Sequence, residues 1–150
     1  MNESLKLKGH GYFELRKKDG TVKEAWECDN MIVTTGMVQV AKLLNGEDAT
    51  YFDTIAIGEG ESGDSVVVGD TALVAEVERA LASLSYEATA KAVFEKTFEF
   101  ISGEAYEITE AGVFNSQSAG GDMLDRFVFT AKSVDADTDL YVKITITCSA

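Results

Sequence analysis

From Leu140 to Cys148 the chain alternates without a break. Leu140, Val142, Ile144, Ile146 and Cys148 fall on one side, and Tyr141, Lys143, Thr145 and Thr147 on the other. A period of two puts one set against a core and the other in water, as in a half-buried β-strand. A helix would scatter the same apolar groups around its circumference, so this stretch limits the chain to folds that can cover one face of a sheet.

The alternation recurs upstream. Lys91–Ile101 sets Ala92, Phe94, Phe98 and Phe100 against Val93, Glu95, Thr97 and Glu99, with Lys96 interrupting the apolar side. Arg79–Ala88 sets Leu81, Ser83 and Ser85 against Ala82, Leu84 and Tyr86. Tyr106–Asn115 and Met123–Thr130 read as strands joined by Ser116–Asp122, where Ser118, Gly120 and Gly121 supply turn chemistry. Strands of this length with short connections cover their apolar faces by packing two sheets together. The expected fold is mainly β: an antiparallel, jelly-roll-like β-sandwich with one or two short helices in the N-terminal half. No βαβ alternation and no internal repeat is visible.

Residues 1–9 read as a polar arm or an added strand. Gly11–Lys17 and Thr21–Cys28 form a hairpin around Asp19-Gly20. Both of its faces are mixed, which suits an edge or an exposed arm. The expected organisation is an arm and hairpin over 1–30 and a sandwich over 31–150, together one structural domain. Thr34, Thr35 and Gly36 offer a helix start. Met37, Val40, Ala41 and Leu44 follow at helical spacing, and Asn45-Gly46 makes a stop, predicting a helix over 35–45. Phe52–Ile57 reads as a buried strand and Gly58–Asp70 as an acidic, glycine-rich loop. The run over 71–77, capped by Asp70 or Thr71, reads as a second short helix.

Net charge is −13, from 26 acidic and 13 basic residues. That sign repels phosphate backbones and argues against nucleic-acid binding. No apolar run approaches the roughly 18 residues of a membrane-spanning helix, and the N-terminus carries no apolar leader, so a membrane is not an expected partner and synthesis in the cytoplasm is expected. There is no proline, so glycine must make most of the sharp turns. Cys28 and Cys148 both lie in strand-like stretches and are expected as buried thiols, with a disulfide as the alternative.

Several segments imitate catalytic or ligand-binding motifs. Gly58-Glu59-Gly60-Glu61-Ser62-Gly63 spells a dinucleotide loop. Such a loop must open straight into a helix whose free N–H groups meet the pyrophosphate, and here eight residues intervene with acids beside them. Asp135-Ala136-Asp137-Thr138-Asp139 resembles the start of a calcium-binding helix-loop-helix, but Leu140 and Ile146 occupy the required glycine and glutamate positions. An acidic turn is expected there, with a weak Ca²⁺ site involving Glu59, Glu61 and Asp64 as the alternative. His10, the only histidine, sits among glycines in a polar stretch, a poor place for a pre-organised base. One histidine and two distant cysteines lack zinc-ligand spacing. No catalytic, cofactor or metal residue is assigned, and an enzyme is not expected. Glu110 and Arg126 are expected to form a structural cross-strand pair. Tyr12, Trp26, Tyr51 and Phe52 are the aromatic candidates for partner contacts, with core packing as the alternative.

Over Met31–Cys148 the order of segments resembles a family of small tailed-bacteriophage virion proteins. Asn30-Met31-Ile32-Val33-Thr34-Thr35-Gly36 leads into Val38-Gln39-Val40-Ala41-Lys42-Leu43-Leu44. Then come Ile55-Ala56-Ile57-Gly58-Glu59-Gly60, and Asp70-Thr71-Ala72-Leu73 with Glu76 and Arg79. Ile108-Thr109-Glu110-Ala111-Gly112-Val113-Phe114-Asn115 and Met123-Leu124-Asp125-Arg126-Phe127-Val128-Phe129 follow, before the closing alternating strand. Residues 10–28 and 59–69 depart from the pattern. The resemblance implies a structural protein of the virion, made in the host cytoplasm. It implies head decoration, with the major capsid protein as partner and self-association, as a homotrimer, on the outer capsid surface. A tail, baseplate or fibre-attachment component is the alternative, and a carbohydrate- or Ca²⁺-binding β-sandwich the second. The working surface is expected on residues 1–30 and the 58–70 loop.

Overall fold

The computed structural model describes residues 4–60 and 63–150. Residues 1–3 of the expected arm, and Glu61 and Ser62 of the glycine-rich loop, lie outside them. The described residues form a β-sandwich of two five-stranded antiparallel sheets with one helix. Sheet I has the spatial order β2 (Val22–Asp29), β1 (Lys6–Lys17), β10 (Thr138–Ser149), β7 (Lys91–Glu99), β6 (Ser83–Glu87). Sheet II has the order β3 (Met31–Ile32), β9 (Met123–Asp135), β8 (Ala105–Phe114), β4 (Thr54–Gly58), β5 (Glu76–Leu81).

The Gly11–Cys28 hairpin lies within the sandwich. Its first strand extends back to Lys6 and pairs with β10 along its whole length, from Lys6 opposite Ser149 to Lys17 opposite Thr138. β2 is one of the two edges of sheet I, as its mixed faces suggest. Phe13 and Leu15 of β1 join Leu140, Val142 and Ile144 of β10 and Phe94 and Phe98 of β7 against Ile55, Ile57, Ala111, Val113 and Phe127 of sheet II. Each large side chain removed from water there contributes about 1.5–3 kcal/mol. β10 alternates buried and half-buried residues from Thr138 to Thr147, as its sequence requires.

Sheet II is covered on its outer face as well. The helix α1 (Thr34–Asn45) and residues 63–75 lie over it, and Val33, Ala56, Leu73, Phe114 and Met123 make a second, smaller core beneath them. This double cover explains why every residue of β4 and every residue from Ile108 to Phe114 is buried.

Three expectations are corrected. Residues 71–77 are not helical: the chain passes through an irregular stretch into β5 at Glu76. The expected strand Arg79–Ala88 is two strands, because the chain leaves sheet II after Leu81 and enters sheet I at Ser83. The helix ends as predicted, with Gly46 left-handed at φ 76°, but it is rotated. Its buried residues are Gly36 and Gln39, with Val40 and Leu43 packed against the main core, while Met37 and Leu44 are 56% and 77% exposed. It begins after Val33, with no side-chain cap.

Candidate functional site

A buried ion pair between Glu110 of β8 and Arg126 of β9 organises the outer face of sheet II. The irregular register between Ile108 and Glu110 puts Ile108 in the main core and turns Glu110 outward, where strict alternation would have kept both on one face. Arg126 stands opposite Gly112, diagonally across from Glu110. Its Nε and Nη2 donate to Glu110 Oε1 at 3.1 and 3.0 Å. Nη2 also donates to Asp64 Oδ2 at 2.7 Å, and Nη1 to Asp70 Oδ2 at 3.1 Å. The same glutamate accepts the backbone N–H groups of Val74 and Ala75 at 3.0 and 2.9 Å. Glu110 and Arg126 are 1% and 2% exposed. Burial draws the Arg126 pKa down, but the bonds it donates to Asp64, Asp70 and Glu110 outweigh it and the net direction is up. The bond from Arg126 holds the Asp64 carboxyl below its ordinary range.

This clamp explains the glycines of the apparent dinucleotide motif. A Cβ on Gly58 would lie 2.6 Å from Glu110 Oε2 and 2.7 Å from the Ala75 carbonyl. Thr109 Oγ1 donates to the Gly60 carbonyl at 2.7 Å. The glycines let backbone pass close over a buried carboxylate, and no helix follows among residues 63–75. Two acids of the loop expected to form a working surface, Asp64 and Asp70, are spent on Arg126. A second arginine fastens the next loop: Arg79 Nη1 donates to the carbonyls of Ser116, Ser118 and Gly120 at 3.0, 2.8 and 2.9 Å, above the Phe114 ring.

The other sites expected from sequence are dispersed. Asp135–Asp139 makes the turn between β9 and β10, with Asp137 N donating to Asp135 Oδ1. His10 lies on the outer face of sheet I, its Nδ1 3.0 Å from Asp29 and its Nε2 3.3 Å from Glu27; the bond to Asp29 chiefly raises its pKa. Cys28 and Cys148 are free thiols in the registers of Gly11 and Leu7. Cys28 is half-buried and its thiol is pushed up to about 11 by burial. Cys148 is exposed, against expectation, because it lies near the strand end beyond the covered part of β10.

Of the partner-contact candidates, only Tyr51 is well exposed, at 61%. Phe52 is a core residue, which corrects its assignment: the chain turns inward there, one residue after Tyr51. Trp26 is half-buried, stacked on Phe13 at 5.4 Å with the Lys132 ammonium 4.7 Å from its ring centre. Tyr12 is half-buried and donates to Glu14 at 2.9 Å.

The rotation of α1 creates a surface that sequence reasoning missed. Leu5, Leu7, Met31, Ile32, Met37, Val40, Ala41 and Leu44 line an apolar groove of about 650 Å³ between β1 and the helix, and the charged residues lining it are Lys6 and Lys8. The signal was present as the Met37/Val40/Ala41/Leu44 stripe, which reads as a core face. A smaller apolar hollow of about 260 Å³ joins Tyr51 to Leu43 and to Leu84 of the edge strand β6. Compared with protein-family models, curated proteins and solved structures, the chain matches none.

Proposed function

We propose that this chain is a structural protein of a tailed-bacteriophage virion, one that decorates the head by binding the major capsid protein as a homotrimer. The observation that carries the reading is the convergence of separated segments. Gly58, Asp70, Glu110 and Arg126, drawn from four of the segments that resemble virion proteins, meet around one buried ion pair. A likeness that assembles into one interlocked scaffold is better support than scattered short matches.

A scaffold with two loops tied down by arginines suits a protein that presents a fixed surface. The exposed apolar groove and the Tyr51–Leu84 hollow are the places where capsid and self contacts fit. The charge of −13 favours accumulation of the free protein before it binds many repeated sites on a shell. The test is sedimentation of the purified protein with undecorated heads of the corresponding phage. Saturable binding at a fixed ratio to the capsid protein is expected; heads that sediment without it would end the proposal.

A further inference from the structure

We infer that the groove between β1 and α1 takes an added β-strand: an extended segment of a partner protein in which apolar residues alternate with aspartate or glutamate.

The backbone supplies the first half of this inference. Gly9 accepts the N–H of Asn30, so the backbone groups of Gly9 point toward β2. Backbone direction repeats every second residue, so the N–H and C=O of Leu7 point the same way. β2 is no longer there to meet them: its pairing with β1 begins at His10 and Asp29, and from Met31 the chain crosses to pair with β9. Among the described residues no strand pairs with β1 before His10 on this side, while β10 continues on the other side to Lys6. An open strand edge therefore borders the groove, and such an edge accepts a strand through main-chain bonds.

Side chains supply the second half. On the inner side an added strand would meet Ile32, Met37, Val40, Ala41 and Leu44, which calls for apolar residues at every second position. On the outer side it would lie beside Lys6 and Lys8, which make no ion pair among the described residues, whereas Lys18, Lys132 and Lys143 each do. Acidic residues at the alternate positions complement them. A second copy of the same edge is disfavoured, because antiparallel pairing about Leu7 would set Lys6 against Lys8. This inference goes beyond the virion reading and does not depend on it: a chain that binds heads through another surface would fail this test and pass that one.

The experiment uses the full chain and a blocked, fluorescein-labelled peptide, Glu-Val-Glu-Leu-Glu-Val, read by fluorescence anisotropy and by amide hydrogen exchange. Expected are saturable binding and slowed exchange of the Leu7 amide by about tenfold or more. Ala41→Glu, on the exposed helix face, should abolish binding while leaving the melting temperature nearly unchanged. The Lys6→Glu/Lys8→Glu variant should lose about tenfold in affinity and prefer the Lys-Val-Lys-Leu-Lys-Val peptide instead. No saturation up to about 1 mM peptide, an unaltered Leu7 amide, or an unswapped charge preference would each overturn the inference.

Discussion

Glu110 and Arg126 meet diagonally across β8 and β9, with Glu110 Oε1 3.0 Å from Nη2 and 3.1 Å from Nε of the arginine, and both are almost wholly out of water. Two charges so placed cost a large desolvation penalty, recovered only if every remaining donor and acceptor is met. Here Val74, Ala75, Asp64 and Asp70 meet them, so the pair ties a loop from elsewhere in the chain onto sheet II.

Gly36 should reverse the usual rule for helices. Replacing a helical glycine with alanine ordinarily stabilises by about 1 kcal/mol. In α1 a Cβ at this position would lie 2.6 Å from the Leu124 carbonyl oxygen and 2.7 Å from its Cα. Gly36→Ala is expected to destabilise by about 2 kcal/mol through overpacking, measured by urea unfolding. A gain in stability would show that α1 does not sit this close to β9.

Asp125 gives the protein a pH dependence. It is completely buried, and burial pushes its carboxyl up to about 7, against the bonds it accepts from the Val113 N–H and the Asn30 side chain. A carboxyl raised in the folded state stabilises most below its unfolded pKa of 3.8, and that contribution is lost as pH rises toward 7. For full burial the effect is on the order of 4 kcal/mol. The raised His10 acts in the same direction, its contribution present below 6.5 and lost as pH rises through its folded value. Asp29 and Asp64, held low by His10 and Arg126, act oppositely, and their contribution is lost as pH falls below 3.8. Stability should be greater near about pH 5.5 than near about pH 8. Asp125→Asn should flatten most of that slope, and an unchanged slope would reject the assignment.

The two thiols should separate in reactivity. Cys148 is exposed, whereas Cys28 is half-buried with its thiol raised to about 11 beside Asp29 and Asp125. A disulfide reagent in native buffer is expected to modify one thiol quickly, identified by mass spectrometry as Cys148, with Cys28 following only on unfolding. Rapid modification of Cys28 would contradict its packing.

What was legible in the sequence was whatever depends on neighbours along the chain. The alternation of β10, the Asp19-Gly20 hairpin turn and the Gly46 helix stop are local, and each was readable. The Glu110–Arg126 pair was readable because a single hairpin brings the two strands together. Residues 71–77 misled because their apolar spacing suits a helix, while the N–H groups of Val74 and Ala75 are claimed by Glu110, a residue far along the chain. The helix face misled for a related reason. Glycine and glutamine do not score as apolar, yet Gly36 allows close approach to β9, and Gln39 turns inward to donate to the Thr50 carbonyl at 2.7 Å. That rotation leaves the most apolar stripe of the helix facing the groove.

Glu110 and Arg126 hold each other, and through Asp64 and Asp70 the loop above them, on the outer face of sheet II; a double-mutant cycle on the pair measures how strongly. Glu110→Gln and Arg126→Met, alone and together, would be compared by denaturant unfolding. Each single change is expected to cost about 3–5 kcal/mol, because it strands the partner charge away from water. The double variant should cost clearly less than their sum, with a coupling of about 2 kcal/mol or more. Single costs that simply add, to within about 0.5 kcal/mol, would mean that the two residues do not hold each other, and the clamp would be refuted.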